Sequence, residues 1–281
     1  MIKPYKQIIS FSVFLLLVSL QSPAQDVNWK NVKVLVYTKN GKGYVHDNIP
    51  NAVAGIQKLG KVNGFKVDSS SDASIMTEDN LKQYNMLIFA STNNDAFDTD
   101  VQRLAFRRYI EAGGGFVGIH SVTGTERNWK WFKNMLGGTF SWHAKFQKFK
   151  VKVLEPSHPS VKGLPKVWEK EDEFYFAKEL FPGIKTIAAN DITTLNTTDS
   201  VEKNLILKNA GMYSELYPSV WTHEYDGGLT WVTTLGHHKK DYSDPVYMQH
   251  ILQGIYFIAS QVKNIDFSKA YAESKDTPVK Y

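Results

Sequence analysis

The sequence predicts an α/β protein with a mostly parallel sheet and an antiparallel extension toward its C-terminus. In the first half, short apolar or β-branched segments alternate with amphipathic ones, as in strand–helix units. From Lys148 onward, strand-like patterns follow one another with little helical periodicity between them. No internal repeat or low-complexity linker divides the chain. We therefore expect one domain over residues 30–262, followed by a loosely packed polar tail at residues 263–281.

The first half predicts four strand–helix units in the order of a doubly wound sheet. The expected strands are Val34–Tyr37, Phe65–Asp68, Met86–Ala90 and Phe116–Ile119. The expected helices are Asn48–Gly60, Thr77–Tyr84, a segment from Asp98 to Ala112, and Trp129–Leu136. The first helix is indicated by apolar residues spaced by three or four, and the third by Asp98 as N-cap and a following triple glycine as its end.

The second half predicts mainly strands and ends on one long helix. The expected strands are Lys148–Leu154, Glu173–Phe176, Ile184–Ala188, Ser219–His223 and Thr230–Leu235, and the closing helix is Pro245–Ser260.

The first 24 residues are typical of a secretory signal peptide. Lys3 and Lys6 precede an apolar run from Ile8 to Leu20, and small residues around Ala24 provide a cleavage site. This run is too short to span a bilayer, and no later segment reaches the roughly 18 apolar residues of a membrane helix. We therefore expect no membrane span and an exported protein, periplasmic or extracellular.

Composition excludes several classes of function. The chain of 281 residues contains no cysteine, which removes disulfides, thiolate metal sites, Cys nucleophiles and lipoprotein acylation. The formal net charge is +5, and removal of Lys3 and Lys6 with the leader lowers it to +3. No dense basic stripe interleaved with aromatics is present, so nucleic acid is not an expected partner.

Histidines at predicted strand ends are the main candidates for a site. His120 directly follows the apolar strand that begins after Gly113-Gly114-Gly115, and ligands of parallel sheets bind beyond the carboxyl ends of strands. His46 lies in the loop after the first strand and is expected along the same edge. The alternative for His120 is a histidine satisfied by backbone groups at a strand end, and the alternative for His46 is an ordinary residue of a loop or helix start.

Further candidates lie in the second half. His143 neighbours Trp142, whose ring suits stacking on a sugar, although a Trp is more often a packing residue. Glu173 ends the acidic run Glu169–Glu173, and His237 follows the last predicted strand. Without cysteine, a metal site would use His and carboxylate ligands, which suit Zn, Mn or Fe(II), but no H-E-x-x-H spacing occurs.

Several of these motifs occur together in a known family. They are Gly113–Ser121, Trp131, Leu136-Gly-Gly138, Phe140, His143, Ser157-His-Pro159, Asp172-Glu-Phe-Tyr175, Trp221 and Leu235-Gly-His237. Over roughly residues 31–260, the chain resembles the ThuA-like (trehalose utilisation) family. The resemblance implies a flavodoxin-like three-layer sandwich related to class I glutamine amidotransferases. It also implies a role in the catabolism of disaccharides or their 3-keto derivatives. Where those amidotransferases carry a Cys nucleophile, this chain has His120, so amidotransferase chemistry is excluded.

The resemblance maps the polar positions of the family onto His46, His120, His143, Glu173 and His237. The leading hypothesis is a sugar isomerase, lyase or hydrolase in which His120, His143, Glu173 and His237 act as acid/base groups. Tyr175, Trp131, Trp142 and His46 would then bind a small carbohydrate. The sequence establishes no cofactor, but His120, His143 and His237 are candidate ligands of a Zn or Mn ion.

A second hypothesis is a non-catalytic carbohydrate-binding or accessory protein on the same scaffold, with Trp131, Trp142 and Trp221 as stacking surfaces. Serine hydrolysis through Ser121 is a weaker third, because the G-x-S-x-G elbow is absent. The sequence leaves open whether the protein is a homo-oligomer.

Overall fold

The computed structural model describes residues 27–280 of the chain. The interpretation of residues 1–24 as a signal peptide lies outside the described residues. Within them, no helix is both long enough and apolar enough to cross a membrane.

Eleven strands and six α-helices form the described part of the chain. The strands are β1 (Lys33–Tyr37), β2 (Lys66–Ser70), β3 (Met86–Ala90), β4 (Gly115–Ile119), β5 (Gly138–His143), β6 (Gln147–Val153), β7 (Val167–Asp172), β8 (Tyr175–Leu180), β9 (Lys185–Asp191), β10 (Leu216–Tyr225) and β11 (Gly228–Thr233). The helices are α1 (Ile49–Asn63), α2 (Glu78–Leu81), α3 (Asp100–Glu111), α4 (Lys130–Leu136), α5 (Ser200–Ala210) and α6 (Pro245–Gln261).

Nine of these strands form one mixed sheet in the order β2-β1-β3-β4-β11-β10-β9-β6-β7. In this spatial order, the first five strands, β2-β1-β3-β4-β11, are parallel to one another. From β11 onward, each strand pairs antiparallel with its neighbour through β10, β9, β6 and β7. Strands β5 and β8 form a separate antiparallel pair. The predicted α/β class, with a parallel sheet and an antiparallel extension, is therefore confirmed.

Helices cover both faces of the parallel strands, which gives three layers. Along β1, Val34 and Val36 belong to one apolar core, shared with α1 and α6, whereas Leu35 and Tyr37 belong to a second core, shared with α3 and α4. This alternation follows from the two-residue period of a strand. It explains why β1, β3 and β4 are nearly continuous apolar segments, since both of their faces are buried, whereas the edge strand β2 is polar and largely exposed.

Three elements and one strand direction differ from the sequence prediction. Strand β11 belongs to the parallel part, because it pairs with β4 in parallel register, and only its neighbour β10 begins the extension. Strands β5 and β7 and helix α5 were not predicted. Helix α5 buries only Glu202, Ile206 and Ala210, so it shows almost no apolar stripe.

The polar tail packs firmly, contrary to the expectation of loose packing. The backbone amides of Tyr271 and Ala272 donate to Glu111 Oε2 at 2.9 and 3.0 Å. The guanidinium of Arg107 donates to the carbonyl oxygens of Lys275 and Thr277. A polar composition did not indicate loose packing here, because buried charges of α3 provide the partners for the tail backbone.

Candidate functional site

The carboxyl ends of the parallel strands converge on one polar cluster. His120 begins a 3-10 turn directly after β4 and adopts a left-handed φ of 55°. His46 lies in the loop after β1, and His237 follows β11. Glu173 lies between β7 and β8, so the antiparallel extension brings it over the same edge. The positive φ of His120 is uncommon for a residue with a side chain, and it turns the imidazole sharply off the strand end.

Four of the predicted residues form a compact set of potential metal ligands. One ligand atom from each of His46, His120, Glu173 and His237 lies within 4.8 Å of the other three. His237 Nδ1 is 3.3 Å from His120 Nε2 and 3.1 Å from Glu173 Oε2, while His120 Nε2 is 3.8 Å from the same carboxylate oxygen. Three imidazoles and one carboxylate are thus brought together from four separate segments of the chain.

Hydrogen bonds outside the cluster fix which ring nitrogens face it. The Ser121 hydroxyl donates to Thr92 O at 3.1 Å, so it accepts from His46 Nδ1–H at 3.1 Å. His120 Nδ1 donates to Thr234 O at 3.1 Å. Both histidines therefore keep an unprotonated Nε2, which is the arrangement that outer hydrogen bonds give to metal-binding histidines. The Tyr175 hydroxyl lies 3.1 Å from His120 Nε2 and donates to it.

Burial and mutual charge set the protonation of the cluster. Burial, assisted by the charge of His237, lowers the pKa of His46 to about 4. Burial also lowers the pKa of His120 well below its usual value, and His46 and His237 act in the same direction. Burial opposes the charged form of His237, but its hydrogen bond to Glu173 and the charge of that carboxylate outweigh this and raise its pKa. The cluster therefore offers two neutral imidazoles beside a His237–Glu173 pair.

Asp172 fixes the backbone on both sides of that pair. Its carboxylate is fully buried and accepts hydrogen bonds from the amides of Glu173, Gly236 and His237 at 2.9, 2.7 and 3.1 Å. Lys170 Nζ lies 3.2 Å from the same carboxylate. One buried carboxylate thus holds together the two segments whose side chains meet at 3.1 Å.

A cavity of about 320 Å³ opens onto the cluster. It is lined by Tyr44, His46, Asn93, Ser121, Gly124, Arg127, Phe140, His143, Glu173 and Tyr175. Sequence reasoning missed Tyr44, Asn93 and Arg127, and it used Phe140 only as a family motif. Asn93 carried a usable signal, because it follows a predicted parallel strand just as His120 does. Arg127 carried no such sequence signal, because it lies in a loop with no periodic pattern.

The other predicted site residues are divided between the cavity and the core. His143 lies on the cavity wall, with Nε2 3.5 Å from the second oxygen of Glu173, so the compact ligand set contains His46 in place of His143. Tyr175 also lines the cavity. Trp142 stacks on Phe176 instead, and the Trp131 indole donates to Asp226 Oδ2 at 2.6 Å in the core. The structure does not bring these two tryptophans to the cavity.

Two further histidines, one on β10 and one shortly after β11, do not join the cluster. His223 Nδ1 lies 3.2 Å from Met135 O, and its ring packs on Phe181. His238 accepts a hydrogen bond from Lys240 N and caps the short turn before α6.

Comparisons with known proteins agree with this architecture. The ThuA-like protein of Bacteroides uniformis, a solved structure, is 24% identical, with a TM-score of 0.68 over 88% of this chain and 99% of that chain. A second ThuA-like protein, from Parabacteroides merdae, is 18% identical, with a TM-score of 0.62 over 84% of this chain and 92% of that one. These likenesses show a shared flavodoxin-like, amidotransferase-like fold. No curated protein matches the chain in sequence.

The family model described as trehalose utilisation matches residues 33–258, which is well over half of the chain. It spans β1 to α6 and includes every member of the cluster. This membership suggests a role related to carbohydrates. The chain belongs to the ThuA family.

Proposed function

We propose that this protein is a sugar-converting enzyme in which His46, His120, His237 and Glu173 hold one divalent metal ion at the end of the cavity. The observation that carries the proposal is the convergence of these four ligand atoms within 4.8 Å, beside a sugar-sized opening. Carbohydrate as the substrate class is supported by the family description alone. The predicted leader supports a periplasmic or extracellular site of action.

The donor set fits a metal of the zinc or manganese type. Imidazole and carboxylate are ligands that Zn and Mn accept, and a catalytic site needs an open position toward the substrate. His46 and His120 present unprotonated Nε2 atoms, whereas His237 Nδ1 is bonded to Glu173 and would have to release its proton when a cation binds. A bound metal would polarise a sugar carbonyl and stabilise an enediolate.

The remaining cavity residues suit proton transfer. His143 is partly exposed and lies on the cavity wall, within 3.5 Å of Glu173, where an imidazole can take a proton from a substrate carbon or oxygen and return it. Burial keeps the pKa of Tyr175 well above its usual value, so its hydroxyl stays protonated and donates a hydrogen bond. We therefore assign general acid/base action to His143 and orientation of a substrate oxygen to Tyr175.

The test is turnover of a 3-keto-disaccharide by the protein stripped of metal and then reloaded. We expect activity to disappear with a chelator and to return with Zn²⁺ or Mn²⁺. Glu173→Gln keeps the shape but removes the charged ligand, and we expect at least a 100-fold loss of kcat/KM. His238→Gln, which alters the neighbour of His237 outside the cluster, should stay within about twofold of the wild type.

Full activity in the metal-free protein, or in Glu173→Gln, would contradict the proposal. Binding of the sugar by the metal-loaded protein without any turnover would favour the accessory-protein alternative.

A further inference from the structure

Within residues 27–280, one arginine at the cavity differs from the other three in having no acidic partner. The sequence contains four arginines. Arg103 pairs with Glu126, Arg107 with Glu111, and Arg108 with Glu78. Arg127 lines the cavity, and within residues 27–280 no carboxylate lies within 4.0 Å of its guanidinium. The one acid next to it in sequence, Glu126, is turned away and bonded to Arg103.

The guanidinium of Arg127 is nevertheless held in place. Nε donates to Gly124 O at 2.9 Å, Nη2 donates to Asn93 Oδ1 at 3.1 Å, and the group lies over the Phe140 ring at 5.4 Å. The close approach depends on Gly124, since a Cβ there would lie 2.5 Å from Asn93 Oδ1 and 2.8 Å from Arg127 Nη2. A side chain that is otherwise exposed is thus fixed by neutral groups on the cavity wall.

Among the described residues, this arrangement leaves some N–H donors of Arg127 unused and its charge without an acidic partner. A guanidinium has five N–H donors, and two of them are occupied by protein acceptors. The one carboxylate lining the cavity, Glu173, is surrounded by three imidazoles, at 3.1 to 3.8 Å. Once a divalent cation occupies the cluster, the cavity therefore has an excess of positive charge, which favours an anionic ligand.

We propose that Arg127 binds a carboxylate of the substrate, and hence that the cavity prefers a sugar acid to the corresponding neutral sugar. A planar guanidinium matches a carboxylate with two parallel hydrogen bonds. One guanidinium also balances the single charge of a carboxylate. The inference deepens the proposed function and rests on it, because the carboxylate would orient the sugar toward the His46–His120–His237–Glu173 cluster.

The test compares matched pairs of ligands. We would measure by calorimetry the binding of glucuronate against glucose, and of galacturonate against galactose, to the Zn²⁺-loaded protein. We expect the wild type to prefer each acid by about tenfold or more, as a charge-assisted pair implies. Arg127→Gln should lose most of that preference. Lys130→Gln, which removes an exposed cation three residues away, should keep it.

Equal affinity for acid and neutral sugar, no binding of either acid at millimolar concentration, or an unchanged preference in Arg127→Gln would overturn the inference. Metal content is measured on the same samples to separate this result from the proposed function. Arg127→Gln should bind Zn²⁺ as the wild type does. A protein that prefers the acids but binds no metal would contradict the proposed function and leave the role of Arg127 standing.

Discussion

Two buried ion networks of the same composition lie at opposite ends of the parallel sheet. Each contains one cation and two carboxylates. The site network consists of Lys170, Asp172 and Asp241, behind the carboxyl ends of the strands. The tail network consists of Arg107, Glu111 and Asp226, at their amino ends.

The networks differ in what their remaining oxygens bind. Glu111 and Asp226 accept from the backbone of the C-terminal tail, the hydroxyl of Tyr271 and the indole of Trp131. Asp172 accepts from the amides that flank the Glu173–His237 pair. The same set of charges therefore joins the tail to the domain at one end and orients the candidate site at the other.

The largest expected effect comes from breaking the tail network. Arg107→Met would leave Glu111 and Asp226 buried without their cation, which typically costs about 3–5 kcal/mol of the free energy of unfolding. Urea denaturation would measure this loss. Lys130→Met, an exposed control, should change stability by less than about 0.5 kcal/mol. Metal affinity of the folded Arg107→Met protein should match the wild type, and a large loss of it would show that the two ends are not independent.

Breaking the site network should act on the site more than on the fold. Asp172→Asn replaces one acceptor oxygen with a donor that faces backbone amides, so it should disturb the Glu173–His237 pair. We expect metal affinity to fall about 10- to 100-fold, the usual effect of altering a group that orients ligands. Stability should fall less than in Arg107→Met, because Lys170 keeps Asp241 as a partner. Metal affinity would be measured by equilibrium dialysis. An unchanged affinity in Asp172→Asn would contradict the claim that the site network, unlike the tail network, orients the metal ligands.

Acid sensitivity should be concentrated at the site end. Burial, with a contribution from the charge of Lys170, lowers the pKa of His250 to about 3. Because its pKa is near 6.5 in the unfolded chain, the unfolded state binds more protons below that pH, and stability falls as the pH falls. The slope from this group is about 1.4 kcal/mol per pH unit between pH 6 and pH 4. The free energy of unfolding, measured by urea denaturation across this pH range, should depend less steeply on pH in His250→Gln than in the wild type. Parallel pH profiles of the two proteins would argue against this assignment.

The smallest expected effect concerns the hydroxyl of Tyr271 in the tail network, which accepts from Arg107 Nη2 at 3.4 Å and from Lys280 N at 2.9 Å. The Tyr271 hydroxyl donates to Asp226 Oδ1 at 2.7 Å. Tyr271→Phe should lower the free energy of unfolding by about 1 kcal/mol, since Asp226 keeps Arg107 and Trp131 as partners. The loss would be measured by thermal unfolding of Tyr271→Phe and of a control variant, Tyr256→Phe, which removes the hydroxyl of a tyrosine whose ring packs on Trp29. A loss as large as that of Arg107→Met would mean that the tail is held mainly by this tyrosine.

The sequence predicted the parallel half well because β1, β3 and β4 are apolar on both faces. Its helices were indicated by capping residues at their ends and by apolar residues spaced by three or four. The same reasoning failed at β7, where Glu169 and Glu171 face outward while Lys170 and Asp172 are buried and paired. A buried ion pair inside a strand has the same composition as a solvated acidic run, so composition alone cannot identify it.

The sequence singled out the histidines and Glu173 that converge in the structure, because strand ends and family motifs identify such residues. The roles of Trp131 and Trp142 were assigned from ring chemistry, but an aromatic ring carries no information about which side of a helix or strand faces a cavity. Arg127 escaped notice because its significance lies in the acid it lacks, and only three-dimensional contacts reveal that.

The proposed metal site is best tested by crystallography of the protein with Zn²⁺, using anomalous scattering at the zinc edge. We expect one strong peak about 2.0–2.1 Å from nitrogens of His46, His120 and His237, with Glu173 as the fourth ligand. A zinc-containing crystal with no peak at these four residues, or with zinc bound only elsewhere, would contradict it.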